Sequence, residues 1–132
     1  MTRSSLALLL LWLAPLLLGQ NATYQPDKNW RAPEEAIQKK NPLADRPQLT
    51  AGGAKLFQRN CVECHGKTGQ GLKKAADLLL PVVQQQTDGV LFWKITNGNP
   101  EHGMPSFSRL PELQRWQLVL YLRTLPSLQE RR

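Results

Sequence analysis

The feature that most constrains this chain is the pentapeptide CVECH at residues 61–65, which holds both cysteines of the 132-residue sequence. On a helical turn, positions i, i+3 and i+4 share a face, so Cys61, Cys64 and His65 are predicted to project together. Two thiols so placed can form thioethers with the two vinyl groups of a porphyrin, and neutral imidazole is a good axial ligand for iron. The motif therefore predicts covalent attachment of one haem, with His65 bound to its iron.

Two other interpretations of the motif find less support in the sequence. A CxxC pair can be a redox dithiol, but that signal belongs with a βαβ pattern, and strand signals are poor here. It can also be half of a zinc site, but no second Cys/His pair exists, since His102 is the only other histidine. A disulfide framework needs cysteine pairs that join distant segments, and this chain has none.

The second axial ligand is expected from the loop around Met104. If Met1 is removed with the leader, Met104 is the only methionine left, and it stands between Gly103 and Pro105. A single methionine usually packs in a core, but a loop between two predicted helices is a better place for a fixed ligand. His102 is the rival, because imidazole also binds iron well. The sequence favours Met104.

The first 21 residues have the pattern of a signal peptide. Arg3 supplies a positive charge, and residues 6–18 form an almost unbroken apolar run. The run is shorter than the roughly 20 residues that a membrane-spanning helix needs, and Pro15 interrupts it. An uncleaved anchor is the alternative. We expect an exported protein of the bacterial periplasm, with no stable membrane insertion once residues 1–21 are removed.

The chain is basic, with a formal net charge of +7 that becomes +6 when Arg3 is lost with the leader. Its basic residues are spread out, so binding to nucleic acid is not expected. Lys67, Lys73, Lys74 and Lys94 lie next to the haem motif or on the predicted pocket helix. They predict a basic rim that attracts acidic redox partners, and ordinary solvated surface is the alternative.

Residues 22–48 are predicted to be a proline-rich N-terminal extension rather than a domain. They contain few apolar residues, and Pro33 with Glu34 and Glu35 favours a short helix that runs to about Lys40. A flexible leader is the alternative, and in a complex the segment could serve as a tether.

The rest of the chain is predicted to be all-α. Helices are expected over residues 50–60, 87–97 and 111–125, with Thr50 as the N-cap of the first and Pro126 ending the last. The compact part is short for an all-protein core, so a large apolar cofactor would supply what is missing. We expect three to five helices wrapped around one covalently bound haem.

The sequence resembles the class I cytochromes c. The resemblance covers about residues 50–125, within a domain expected at residues 49–132. The matching residues are Gly53 and Phe57 before the haem motif, CVECHG at 61–66, NG at 97–98, GMPSF at 103–107 and WQLVLYLRTL at 116–125.

This resemblance implies the small cytochrome c fold, one haem c with its iron, and His65 and Met104 as the axial ligands. It also implies that the first and last helices cross, with Tyr121 packed over Gly53 and Phe57. Many relatives carry a proline soon after the glycine loop, and its carbonyl holds the proximal histidine. Here the first proline comes much later in the chain, so the carbonyl that orients His65 is left open.

The implied function is one-electron transfer by a monomeric periplasmic carrier that is not an enzyme. Its partners would be redox proteins such as a dehydrogenase, an oxidase or a quinol-oxidising complex. One alternative is a subunit stably docked on a dehydrogenase or terminal oxidase. Another is a small haem peroxidase, which would require Met104 to leave the iron.

The surroundings of the haem are predicted less sharply. Trp93 and Trp116 could donate indole N–H groups to the haem propionates, or could equally be core aromatics. The residues expected to form the pocket wall are Leu72, Leu78, Leu79, Val90, Ile95 and Phe107.

Overall fold

The computed structural model describes residue 24, residues 26–72 and residues 75–130. The predicted signal peptide and the Lys73-Lys74 pair lie outside these residues. Within the described part of the chain, the secondary structure is helical, apart from one isolated bridge, and the predicted all-α class is confirmed. The helices are α1 (Glu34–Ile37), α2 (Thr50–Asn60), α3 (Val62–His65), α4 (Pro81–Gln84), α5 (Asp88–Asn97), α6 (Glu112–Leu122) and α7 (Leu125–Glu130). Two 3₁₀ turns lie at Pro47–Leu49 and Pro100–His102.

Helices α2 and α6 form the most extensive helix–helix contact of the fold, and a glycine lets them cross closely. A β-carbon on Gly53 would clash with the backbone oxygen of Gln117 and lie 2.8 Å from the Cβ of Tyr121. Beside this point, the rings of Phe57 and Tyr121 pack with their centroids 5.3 Å apart. The crossing that the resemblance implied is confirmed, although α7 follows the second of the two helices.

Aromatic stacking joins α5 to α6. Trp116 is only 1% exposed and stacks on Phe92, with ring centroids 3.9 Å apart and ring planes at 17°. The side-chain cations of Lys39 and Arg115 lie 4.9 and 4.8 Å from the centre of the Phe92 ring, within the range of cation–π attraction. These contacts fix α5, and therefore the point from which the Met104 loop departs.

The described part of the extension packs against α5 and α6. The hydroxyl of Thr87 donates a hydrogen bond to the carbonyl of Ile37 at 2.9 Å. Asn41 is 7% exposed, and its side-chain amide donates to the carbonyl of Trp116 at 3.3 Å. Leu43 is buried in the hydrophobic core. The extension therefore contributes side chains to the same core as the helices, while its boundary at residue 48 stays a prediction.

The helix bounds differ from those expected at two prolines, and a third proline begins a helix that the sequence did not predict. The 3₁₀ turn that begins at Pro47 leads directly into α2, so Thr50 is the first residue of that helix rather than its cap. Helix α6 ends at Leu122, and Pro126 lies in the first turn of α7, where a proline needs no hydrogen-bond donor. Pro81 likewise opens α4. The described residues form seven α-helices rather than the three to five expected, because helices of four to six residues give no clear periodicity.

Candidate functional site

The residues of the haem motif fall on one helical turn. Cys61 follows α2 as its C-cap and precedes α3. The backbone N–H groups of Cys64 and His65 both donate to the carbonyl of Cys61, at 3.2 and 2.8 Å. All three side chains line the same cavity. The spacing of the motif therefore produces the shared face that it predicted.

The cavity has a volume of about 620 Å³, within the roughly 300–1,000 Å³ typical of ligand and cofactor sites. Four of the six residues predicted as pocket wall line it: Leu72, Leu78, Ile95 and Phe107. The remaining apolar wall includes side chains that the sequence did not single out for it: Phe57, Val83, Leu91, Leu118 and Leu122. A wall of this kind suits a large apolar ring system.

His65 is oriented by a backbone carbonyl. Its Nδ1 lies 2.9 Å from the carbonyl oxygen of Ala76. Since a carbonyl oxygen only accepts hydrogen bonds, Nδ1 must carry the proton, which leaves Nε2 with a lone pair for a metal. Burial lowers the pKa of His65, and the bond to Ala76 opposes part of that shift. The question that the sequence left open is thus answered by Ala76, and the imidazole is kept in its neutral, metal-binding form.

The loop after the motif is folded back onto it. The backbone N–H of Gly71 donates to the carbonyl of His65, and that of Leu72 donates to the carbonyl of Cys64, both at 2.8 Å. Gly71 has a φ of 79°, and a β-carbon there would lie 2.9 Å from the oxygen of Ala76. The glycine therefore lets the loop pass close to the carbonyl that orients the histidine.

Met104 lies in the same cavity wall as His65. Helix α5 ends before Gly98, which has a φ of 64°, and the 3₁₀ turn Pro100–His102 follows. The N–H of Asn99 donates to the carbonyl of Met104 at 2.8 Å, and the N–H of Met104 donates to the carbonyl of Asn99 at 3.0 Å. This bridge fixes the backbone of Met104, while its half-buried side chain borders the hydrophobic core.

His102 also borders the cavity, but its side chain is 56% exposed. Its Nδ1 lies 3.1 Å from Oδ1 of Asn99 and 3.5 Å from Oδ2 of Asp27. These contacts turn one ring nitrogen toward the extension. They favour Met104 as the second ligand, and the choice between the two residues stays a prediction.

Beyond the apolar side chains named above, sequence reasoning missed four polar or aromatic residues of the cavity wall. Tyr24, Asp27 and Trp30 come from the extension, and Lys94 from α5 was expected on an exposed rim. Lys94 is half-buried, with its ammonium group 4.5 Å from the centre of the Trp30 ring. The available signal was that Tyr24 and Trp30 are the two aromatic residues of a segment with few apolar residues.

These four residues place polar groups in a largely apolar wall. Burial lowers the pKa of Lys94, which the Asp27 carboxylate partly offsets, and burial raises the pKa of Tyr24, with the charge of Asp27 adding to it. The indole N–H of Trp30 is buried and has no hydrogen-bond partner among the described residues. A buried donor requires an acceptor, and the propionate carboxylates of a haem are acceptors.

The two tryptophans considered as propionate donors do not line the cavity. The indole N–H of Trp116 instead donates to Oε1 of Glu112 at 3.3 Å, and the ring is stacked on Phe92. Trp116 is therefore a core aromatic. Trp93 is half-buried on α5.

The structure gives no support to the competing interpretations of the CxxC pair. Burial, with a smaller contribution from Cys64, raises the pKa of the Cys61 thiol to about 12, whereas a redox dithiol needs a thiol of lowered pKa. No group of three or more His, Cys, Asp or Glu side chains that could hold a metal ion occurs within the described ranges.

A family sequence profile matches residues 48–122, more than half of the chain, and is described as cytochrome c oxidase, cbb3-type, subunit III. The matched segment runs from the 3₁₀ turn before α2 to the end of α6 and contains both the haem motif and Met104. The chain belongs to this family of class I, monohaem c-type cytochromes. A comparison of this cytochrome with curated proteins gives no match.

Family membership gives the cytochrome a covalently bound haem c with its iron, and electron transfer through that haem. The cavity fits the group, since it combines a largely apolar wall, two thiols beside an oriented imidazole, and the buried indole N–H of Trp30, which has no partner among the described residues. In the part of the chain that the structure describes, no helix combines the length and the apolar character needed to cross a membrane.

Proposed function

We propose that this cytochrome is an exported one-electron carrier whose haem c is attached through Cys61 and Cys64 and ligated by His65 and Met104. The observation that carries the proposal is that all four side chains line one cavity with a largely apolar wall. When bound, the haem iron supplies the exchange of one electron between Fe(II) and Fe(III).

The residues of the chain determine what that iron can do. His65 is held as a neutral ligand by Ala76, and Met104 is held at its backbone by Asn99. If His65 and Met104 both held the iron, no ligand position would be open for a substrate, which favours a carrier over a peroxidase. Histidine–methionine ligation and apolar surroundings both raise the reduction potential.

A second candidate function is a subunit that stays docked on a larger redox complex. The description of the matching family, which names a subunit of an oxidase, favours this candidate. In either case the partners are redox proteins such as a dehydrogenase, an oxidase or a quinol-oxidising complex. Export to the periplasm is supported by the pattern of residues 1–21.

Gel filtration of a native extract, followed by haem absorbance, separates the two candidates. A diffusible carrier should elute as a monomer of less than the 14.9 kDa of the full chain, because the leader is removed. Elution of all the cytochrome with a much larger assembly, under conditions that keep complexes intact, would instead identify it as a docked subunit.

Replacement of the second ligand tests the proposed ligation. Met104→Ala should remove the weak sulfur-to-iron band at the red edge of the oxidised spectrum, lower the reduction potential and open the iron to small ligands. His102→Ala is the matched control, since it changes a neighbouring residue of the same loop and should have none of these effects. If the two variants show the opposite behaviour, His102 is the ligand.

A further inference from the structure

The described part of the extension reaches the loop that carries Met104. Asp27 and Asn99 are 72 residues apart in sequence, yet Oδ2 of Asp27 accepts a hydrogen bond from Nδ2 of Asn99 at 2.9 Å. The same carboxylate oxygen lies 3.5 Å from Nδ1 of His102. One side chain of the extension thus contacts two side chains of the segment that leads to Met104.

Asp27 is itself held in place. Its side chain is 16% exposed, and its Oδ1 accepts a hydrogen bond from the backbone N–H of Asn29 at 2.9 Å. The hydrogen bonds from Asn99 and Asn29 hold the pKa of Asp27 below its ordinary value, so the group is a carboxylate at neutral pH. A few residues on, Trp30 packs against the ammonium group of Lys94 on α5. This packing anchors the segment to the haem domain.

Asn99 connects this segment to Met104. It donates to and accepts from the backbone of Met104, at 2.8 and 3.0 Å. On one side of Met104 the loop is open, because a β-carbon on Gly103 would meet no atom within 4 Å. A restraint on the side chain of Asn99 therefore limits the positions that the backbone of Met104 can take.

We propose that Asp27 is a positioning residue that acts through Asn99 to keep Met104 in place as the second ligand of the iron. The inference rests on the proposed ligation by Met104. Loss of Asp27 would increase the fraction of molecules in which Met104 has left its position. That fraction sets the apparent affinity of the iron for a competing ligand.

Titration of the oxidised holoprotein with imidazole, followed in the visible spectrum, measures this fraction. Asp27→Ala should bind imidazole at least about tenfold more tightly than the wild type, because the loop loses a charge-assisted hydrogen bond. Asp27→Asn leaves one side-chain oxygen for two donors, the side-chain amide of Asn99 and the backbone N–H of Asn29, so its affinity should lie between those of the wild type and Asp27→Ala. Asp45→Ala removes an exposed carboxylate of the same extension and should leave the affinity unchanged.

A double-mutant cycle with Asn99→Ala tests the route of the effect. In that background, Asp27→Ala should cause no further change in imidazole affinity, and an additive change would overturn the role of Asn99. If the wild type has its sulfur-to-iron band and Asp27→Ala behaves like Asp45→Ala, this inference alone fails. A wild type without that band would instead overturn the ligation by Met104, and with it this inference.

Discussion

At the residue scale, the ligand chemistry of His65 depends on neighbours that have no reactive group of their own. The proton on its Nδ1 is held by the backbone oxygen of Ala76, and that oxygen is approached by Gly71 at a φ of 79°. A hydrogen bond on the far nitrogen of a histidine ligand fixes the orientation of the ring and increases its basicity. Gly71 therefore affects the iron indirectly, because it lets the loop pass close to the Ala76 carbonyl that orients His65.

Replacement of this glycine should be costly. Gly71→Ala combines the strain of a side chain at positive φ, about 1–2 kcal/mol, with a β-carbon 2.6 Å from the oxygen of Ala75, which adds about 1–3 kcal/mol of overpacking. Gly103→Ala is the matched control, because it has a φ of 89° but no atom within 4 Å of the new β-carbon. Denaturant unfolding should show a clearly larger loss of stability for Gly71→Ala. Equal losses of stability in the two variants would mean that the close contact between the new β-carbon of residue 71 and the backbone of residues 75–76 does not destabilise the fold.

At the element scale, the crossing of α2 and α6 positions the haem motif. Helix α2 leads directly into Cys61, and α6 carries Leu118 and Leu122 into the cavity wall. The distance between these two helices therefore determines the width of the pocket. Gly53 sets that distance, because the backbone of Gln117 occupies the space that a side chain at residue 53 would need.

The two adjacent glycines of α2 allow a direct test. Gly53→Ala should lower the free energy of unfolding by more than about 3 kcal/mol or prevent folding, since the clash is with backbone that cannot move aside. In Gly52→Ala, the new β-carbon meets only the flexible end of the Gln117 side chain, at 2.9 Å from Nε2. That variant should be neutral or stabilised by up to about 1 kcal/mol through helix propensity. Thermal unfolding of the two holoproteins would compare them, and similar midpoints would contradict a role for Gly53 at the crossing.

The elements that could be predicted from the sequence are those with a local signal. Thr87 was expected at the start of α5 and does cap it, accepting a hydrogen bond from the N–H of Val90 at 3.3 Å. The shared face of the CxxCH motif follows from helical periodicity in the same way. The packing of the extension depends instead on pairs such as Asn41 with Trp116, which are 75 residues apart. No local pattern encodes such a pair, so Asp27 and Trp30 could not be placed at the site in advance.

At the scale of the whole molecule, the structure differs from the predicted basic rim at one lysine. Of the four lysines predicted to form a basic rim, Lys94 is half-buried in the cavity wall, and Lys67 is exposed two residues after the haem motif. Lys73 and Lys74 lie outside the described residues. The charge of Lys94 is therefore better placed to interact with the haem than with a partner protein. The docking role predicted for the other three lysines stays a prediction.

Oxidation by an acidic redox partner tests that role. If exposed lysines near the haem motif steer the encounter, the second-order rate constant should fall by about tenfold between about 0.01 and 0.15 M ionic strength, because salt screens the attraction. Lys67→Glu, and separately Lys73→Glu with Lys74→Glu, should slow the reaction at low salt without moving the haem potential, since steering acts on the encounter rate. Lys40→Glu is the control, because it makes the same change of charge per site at an exposed residue that does not follow the haem motif. It should slow the reaction less than Lys67→Glu does. If Lys40→Glu slows the reaction as much as Lys67→Glu does, only the net charge of the protein matters and no docking surface is centred on the haem motif.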